Sequence, residues 1–198
     1  MENFTEDDIK YLAYTLLTMT LIGLQCTIVP IVIVSKARRK YFTQNFMDQF
    51  LQAPTTDGED INEPILPAKG GYPDMGSGRY TEKLEYSQWY EYNNAQRVHL
   101  NFVEQLPLIQ ALIFITALKT PLAALILSIT YFVLRLVYAV GYAAKGPNFR
   151  GFGAVPILLC LVILFGFSFY TCGDYMKHYN DTSVTPPVQS VDGQIIKL

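Results

Sequence analysis

Four long apolar stretches alternate with polar ones along this chain, and that alternation predicts its elements. Residues 11–34 run for 24 positions without a charge, and about 20 apolar residues suffice to cross the hydrocarbon core of a bilayer. Further spans are expected over about 95–118, 122–144 and 152–172. Lys119, Thr120 and Pro121 leave only a tight turn between the second and third, so these two are antiparallel neighbours. The third and fourth are separated by K-G-P-N-F-R-G at 145–151. A long polar connection, 42–93, joins the first span to the second, and a polar tail without helical pattern fills 174–198. Within the connection, 80–93 is free of proline and suits a short helix leading into the second span, with Trp89, Tyr90 and Tyr92 at the interface. The expected fold class is therefore all-α, a four-transmembrane-helix bundle in one membrane domain.

Charge sharpens this picture. Only 16% of the 198 residues are charged, against roughly 25% in a soluble domain. Lys36, Arg38, Arg39 and Lys40 follow the first span directly, and Lys145 and Arg150 flank the loop before the fourth. Basic loops mark the cytosolic or matrix-like side, which puts both termini on the other side. The acidic start, with Glu2, Glu6, Asp7 and Asp8, has no basic n-region of a signal peptide. Sequons at Asn3 and Asn180 fall on the terminal side. No basic run is long enough to suggest nucleic acid. Cys26, Cys160 and Cys172 form no C-x-x-C pair and read as three buried apolar thiols, with no metal expected. No inverted repeat or broken-helix pattern points to a transporter.

The unusual chemistry lies at the start of the second span. Arg97, Asn101 and Glu104 stand at i, i+4, i+7 and share one helix face. Ionisable groups within a span cost roughly 2.5–3.5 kcal/mol each at its centre, so they usually serve a purpose. One purpose is an Arg97–Glu104 pair that only ties helices together. The other is a polar ligand. On the third span Arg135, Tyr138 and Tyr142 share a face at i, i+3, i+7, at similar depth on the basic side. The tyrosines suit an interfacial belt as well as a site. His99 suits a packed histidine.

Three stretches in order resemble one family. They are S-K-A-R-R-K-Y at 35–41, Q-R-V-H-L-N-F-V-E at 96–104, and R-L-V-Y-A-V-G-Y-A-A-K-G-P-N-F-R-G at 135–151. Together with the apolar segments they resemble the MAPEG superfamily of membrane proteins in eicosanoid and glutathione metabolism, most of all its microsomal glutathione S-transferase 3 type. The resemblance implies that glutathione is the co-substrate and that the chain forms a homotrimer with glutathione between subunits. It implies that Glu104 takes the γ-glutamyl ammonium and that Arg97 and Asn101 hold carboxylate and amide groups. Tyr138 and Tyr142 match a Tyr-x-x-x-Tyr pair that lines the same site. Arg38 matches a basic residue closing the first helix, and Arg150 the arginine that stabilises the thiolate. Three features depart from the pattern. Gln105-Leu106 follow Glu104, where the leukotriene synthase branch has Tyr directly after the acid and the type 3 branch has it one place later. Arg150 stands one residue further from Tyr142 than in that branch. The first loop is enlarged by about 30 residues on the active-site side.

Two functions are compatible with these residues. The first is a glutathione-dependent transferase or peroxidase acting on apolar electrophiles or lipid hydroperoxides. The second is a non-catalytic accessory subunit of a larger membrane assembly, for which the enlarged loop and tail speak. Either would lie in the endoplasmic reticulum or a mitochondrial membrane.

Overall fold

Thr5 opens the first helix through a reciprocal cap. Its hydroxyl accepts from the backbone N–H of Asp8, and its own N–H donates to the Asp8 carboxylate at 3.1 Å. Glu6, Asp7 and Asp8 fill the first turn, where the helix dipole favours negative charge. The computed structural model describes residues 4–51, 67, 69–184, 189–191 and 194–196; for Arg150 and from residue 182 onward it describes the backbone alone.

Helix α1 is Glu6–Val29. Pro30 cannot donate an N–H, and the chain answers with one π-helical turn over Pro30–Val34. The Ser35 N–H and hydroxyl both return to the Pro30 carbonyl. The axis then continues as α2, Ser35–Tyr41. A short helix α3, Gln44–Met47, is capped by the Thr43 hydroxyl. The second span is α4, Tyr86–Ala117. The short helix expected over 80–93 is instead a 3₁₀ turn, Thr81–Lys83, followed by the first turns of α4 itself. Pro121 takes the first position of α5, Pro121–Lys145, where its missing N–H costs nothing. Gly146, with φ +67, reverses the chain, and a 3₁₀ turn over Gly146–Phe149 leads into α6, Arg150–Val184.

Helix α6 therefore runs well past the apolar stretch that ends near 172. Polarity alone does not end a helix, and no proline occurs after Pro156 until Pro186. The Lys119 ammonium meets the Asp174 carboxylate at 2.5 Å, and Tyr175 donates to the Leu118 carbonyl, so the extension is anchored. Beyond it, β1 (Gln189–Val191) pairs antiparallel with β2 (Gln194–Ile196). Asn180 lies in α6, and Asn3 lies outside the described residues. Of the three thiols expected to be buried, Cys26 and Cys160 are, while Cys172, at the end of the apolar stretch of α6, is exposed.

Among the described residues four helices are thus long and apolar enough to cross a membrane, and the architecture is the expected all-α, four-span membrane bundle. Residue contacts divide it into two compact units. The first, Met1–Met19 with Leu108–Thr130 and Leu158–Leu198, is held by small polar groups between apolar helices. Gln110 donates to the Met19 carbonyl, and buried Thr116 and Ser168 share a hydrogen bond. The second unit, Thr20–Pro107 with Tyr131–Ile157, contains every sequence-predicted site residue. The described part of its connection is not loose. Phe42, Met47, Tyr80, Leu84 and Tyr92 form a small core against Ala37 and Ala95. Phe42 meets Tyr92 edge-on at 5.0 Å, and Phe50 meets Tyr80 at 4.8 Å.

Candidate functional site

Depth along the helices follows from the short turn between α4 and α5. Crossing about 30 Å at 1.5 Å per residue takes about 20 residues. Counted back from Ala117, this places Arg97 at the basic-side interface and Glu104 about 10 Å deeper. Counted forward from Pro121, it places Tyr142 at the same interface and Arg135 about 10 Å inside.

Within the second unit, Asn101 is the hinge of the polar set. Its side-chain amide donates to the Tyr138 hydroxyl at 2.7 Å. The hydroxyl accepts that bond, so its own proton is free to be donated elsewhere. Tyr138 and Tyr142 are buried, with ring centroids 5.5 Å apart. Gly153 of α6 makes room for Tyr138, because a Cβ there would lie 2.8 Å from its ring. Arg97 and Glu104, by contrast, are exposed. Neither makes a hydrogen bond or ion pair among the described residues. At i, i+7 they stand about 10 Å apart along the axis, too far for a direct pair. The helix-tying pair is therefore not formed here.

Arg135 is the group that sequence reasoning underused. It is 2% exposed and faces no carboxylate among the described residues. Its guanidinium donates to the Tyr131 hydroxyl at 2.9 Å, the Asn101 carbonyl at 2.8 Å and the Gln105 side-chain carbonyl at 2.6 Å. Its charge also lies over the rings of Phe102, Tyr131 and Tyr138, at 4.7–5.5 Å. Gln105, which looked like a mere departure from a family pattern, is its partner. The signal was in the sequence: an arginine inside a span needs an acceptor at its own depth.

Arg38 is 4% exposed and turned into the connection. It donates to the carbonyls of Gly70, at 3.1 Å, and Asp74, at 2.6 Å, and stacks 4.0 Å from the Tyr72 ring. Asp74 was not singled out from sequence, yet it organises this turn. Its buried carboxylate accepts the backbone N–H groups of Gly76, Gly78, Tyr80 and Thr81, and the Thr81 hydroxyl. Burial pushes its carboxyl pKa up, but the bonds from Gly76, Thr81 and Gly78 outweigh this and hold it below the ordinary 3.8. His99 is half-buried, and its Nδ1 has no hydrogen-bond partner among the described residues. The backbone of Arg150 opens α6, while its side chain lies outside the described atoms. Among the described residues no cluster of His, Cys, Asp or Glu could hold a metal.

Four apolar helices, with arginines and an acid gathered at the basic-side ends of two of them, define a multi-pass membrane protein with a candidate anion site. The MAPEG family model matches residues 15–170, most of the chain, and includes all of these side chains. The chain belongs to the MAPEG family, whose members generally use glutathione. No curated protein compared with it matches.

Proposed function

We propose that this protein is a glutathione-dependent transferase or peroxidase of the type 3 branch, acting on apolar electrophiles or lipid hydroperoxides that reach it through the bilayer. The observation that carries the reading is the state of Arg97 and Glu104. Both are ionisable, near or within a span, exposed and unpaired among the described residues. Glutathione has two carboxylates and one ammonium. Glu104 takes the ammonium, and Arg97 and Asn101 take carboxylate and amide groups. An Arg guanidinium matches carboxylate geometry in a bidentate way. Tyr138 and Tyr142 line the same site, and the unspent Tyr138 proton donates to the bound tripeptide or to an oxygen leaving the second substrate. Lipid would be a poor neighbour for Arg97 and Glu104. A second copy covering that face makes the homotrimer the natural assembly.

Arg150 supplies the chemistry. A free thiol has a pKa near 8.5, and an adjacent cation lowers it by about a unit or more. The thiolate attacks an electrophilic carbon and expels its leaving group. With a hydroperoxide it attacks the terminal oxygen. The O–O bond breaks, the alkoxide takes a proton, and the glutathione sulfenic acid condenses with a second glutathione to disulfide and water. The endoplasmic reticulum or a mitochondrial membrane would suit such substrates.

The test is calorimetric titration of glutathione into the purified protein in detergent, with native mass read on the same sample. Micromolar-to-millimolar binding to a trimer, lost in Arg97→Ala and Glu104→Ala, is expected. Unchanged affinity in both variants overturns the reading. Absent binding together with co-purifying membrane subunits would favour a non-catalytic accessory subunit, for which the described part of the connection offers a docking element.

A further inference from the structure

We propose that Arg38 is a positioning residue: it fixes the 70–81 turn against the start of α4 and thereby sets the Arg97 face, without touching the ligand itself. This rests on the proposed glutathione site for its functional part, though not for its structural part. The argument begins with where the guanidinium is spent. Two of its N–H groups go to the carbonyls of Gly70 and Asp74, and its plane is stacked on Tyr72. The rings of Phe42 and Tyr92 stand on its other sides, at 5.5 and 5.3 Å. With 4% exposure it has little surface left for a soluble anion.

The turn that Arg38 holds is bonded onward to α4. The Asp74 carbonyl accepts from the Tyr92 hydroxyl at 2.9 Å, beside the bond from Arg38. The Gly76 carbonyl accepts from the Trp89 indole at 3.0 Å and the Asn93 amide at 3.2 Å. The Tyr92 hydroxyl in turn accepts from Gln96 at 2.6 Å. Gln96 is 1% exposed and directly precedes Arg97. One continuous set of hydrogen bonds therefore runs from the end of the first span, through the turn, to the residue before Arg97. The Asp74 carboxylate keeps the turn closed from within by collecting its amides. Lysine at 38 could neither make both carbonyl bonds in a fixed plane nor stack on Tyr72. The neighbouring Arg39 is exposed and serves as the control.

The experiment is hydrogen exchange of the ligand-free protein in detergent, read by mass spectrometry over 70–81, followed by glutathione titration. Arg38→Ala and Arg38→Lys should each speed exchange of the Gly76, Gly78, Tyr80 and Thr81 amides at least tenfold, while Arg39→Ala leaves them unchanged. Tyr72→Leu keeps the arginine but removes the stack, and should weaken glutathione binding several-fold in the same manner. In a cycle of Arg38→Ala with Asp74→Ala, the double variant should lose no more affinity than the worse single variant. Where turnover is measured, KM for glutathione should rise while kcat stays within twofold. Unchanged exchange in Arg38→Lys, or affinity losses that multiply in the double variant, overturns the proposal. If wild-type protein binds no glutathione, the proposed function fails, and the exchange result still decides whether Arg38 holds the turn.

Discussion

Arg38 and Arg135 face the same physical problem at two depths of the second unit. Each is a cation with at most 4% of its surface exposed, and neither meets a carboxylate among the described residues. Near the interface, the folded turn presents free backbone carbonyls, and Arg38 uses those of Gly70 and Asp74. Inside the span, helix carbonyls are already bonded along the helix. Arg135 finds one of them, on Asn101, and must draw the rest from the side chains of Tyr131 and Gln105. The difference teaches where a substitution will be felt. A loop can rearrange and rehydrate when its cation is lost. A helix bundle inside lipid has no water to offer the stranded acceptors.

The strongest test of that contrast is Arg135→Ala. It removes the partner of the half-buried Gln105 carbonyl and one bond of the Tyr131 hydroxyl, and leaving a buried polar group unsatisfied costs about 1–3 kcal/mol. A large drop in thermal midpoint in detergent is expected, well beyond that of Arg38→Ala; equal drops would break the comparison. The double change Arg135→Leu with Gln105→Leu should recover much of the loss, because both polar partners leave together.

Next in size is Asp74. Its folded pKa is depressed, so the carboxylate stabilises the turn above the unfolded value near 3.8, and that stabilisation is lost as pH falls through the lower folded value. Proteolysis within 70–81 should stay slow from about pH 5 to 8 and accelerate below about pH 4. In Asp74→Asn it should be faster at neutral pH, and the acid dependence should vanish. A turn that opens at the same acidic pH in the variant would remove Asp74 from the account.

A smaller effect is expected at Asn101. Losing its bond to Tyr138 in Asn101→Ala should cost about 1 kcal/mol of stability, and a cycle with Tyr138→Phe should show the two losses to be coupled. The least should come from Glu91→Gln. Lys40 and Glu91 form a close ion pair with half-exposed side chains, and solvent screening leaves such pairs with little net contribution. Its chemical-denaturation midpoint should scarcely move, and raised salt should erase what change there is.

Much of this protein could be read directly from residue order. A stretch as long and charge-free as 11–34 has few homes other than a bilayer, so span number and order needed no contacts. The shared face of Arg97, Asn101 and Glu104 followed from helical periodicity, as did that of Arg135, Tyr138 and Tyr142. Helix ends were less legible, because backbone hydrogen bonding does not require apolar side chains: α4 begins at Tyr86 and α6 reaches Val184. What residue order left open was the direction in which each charge is spent. Arg38 bonds a carbonyl 36 positions away and Arg135 an amide 30 positions away. Such pairs form only when helices and turn have packed, since buried polar groups must take the acceptors that packing brings within reach.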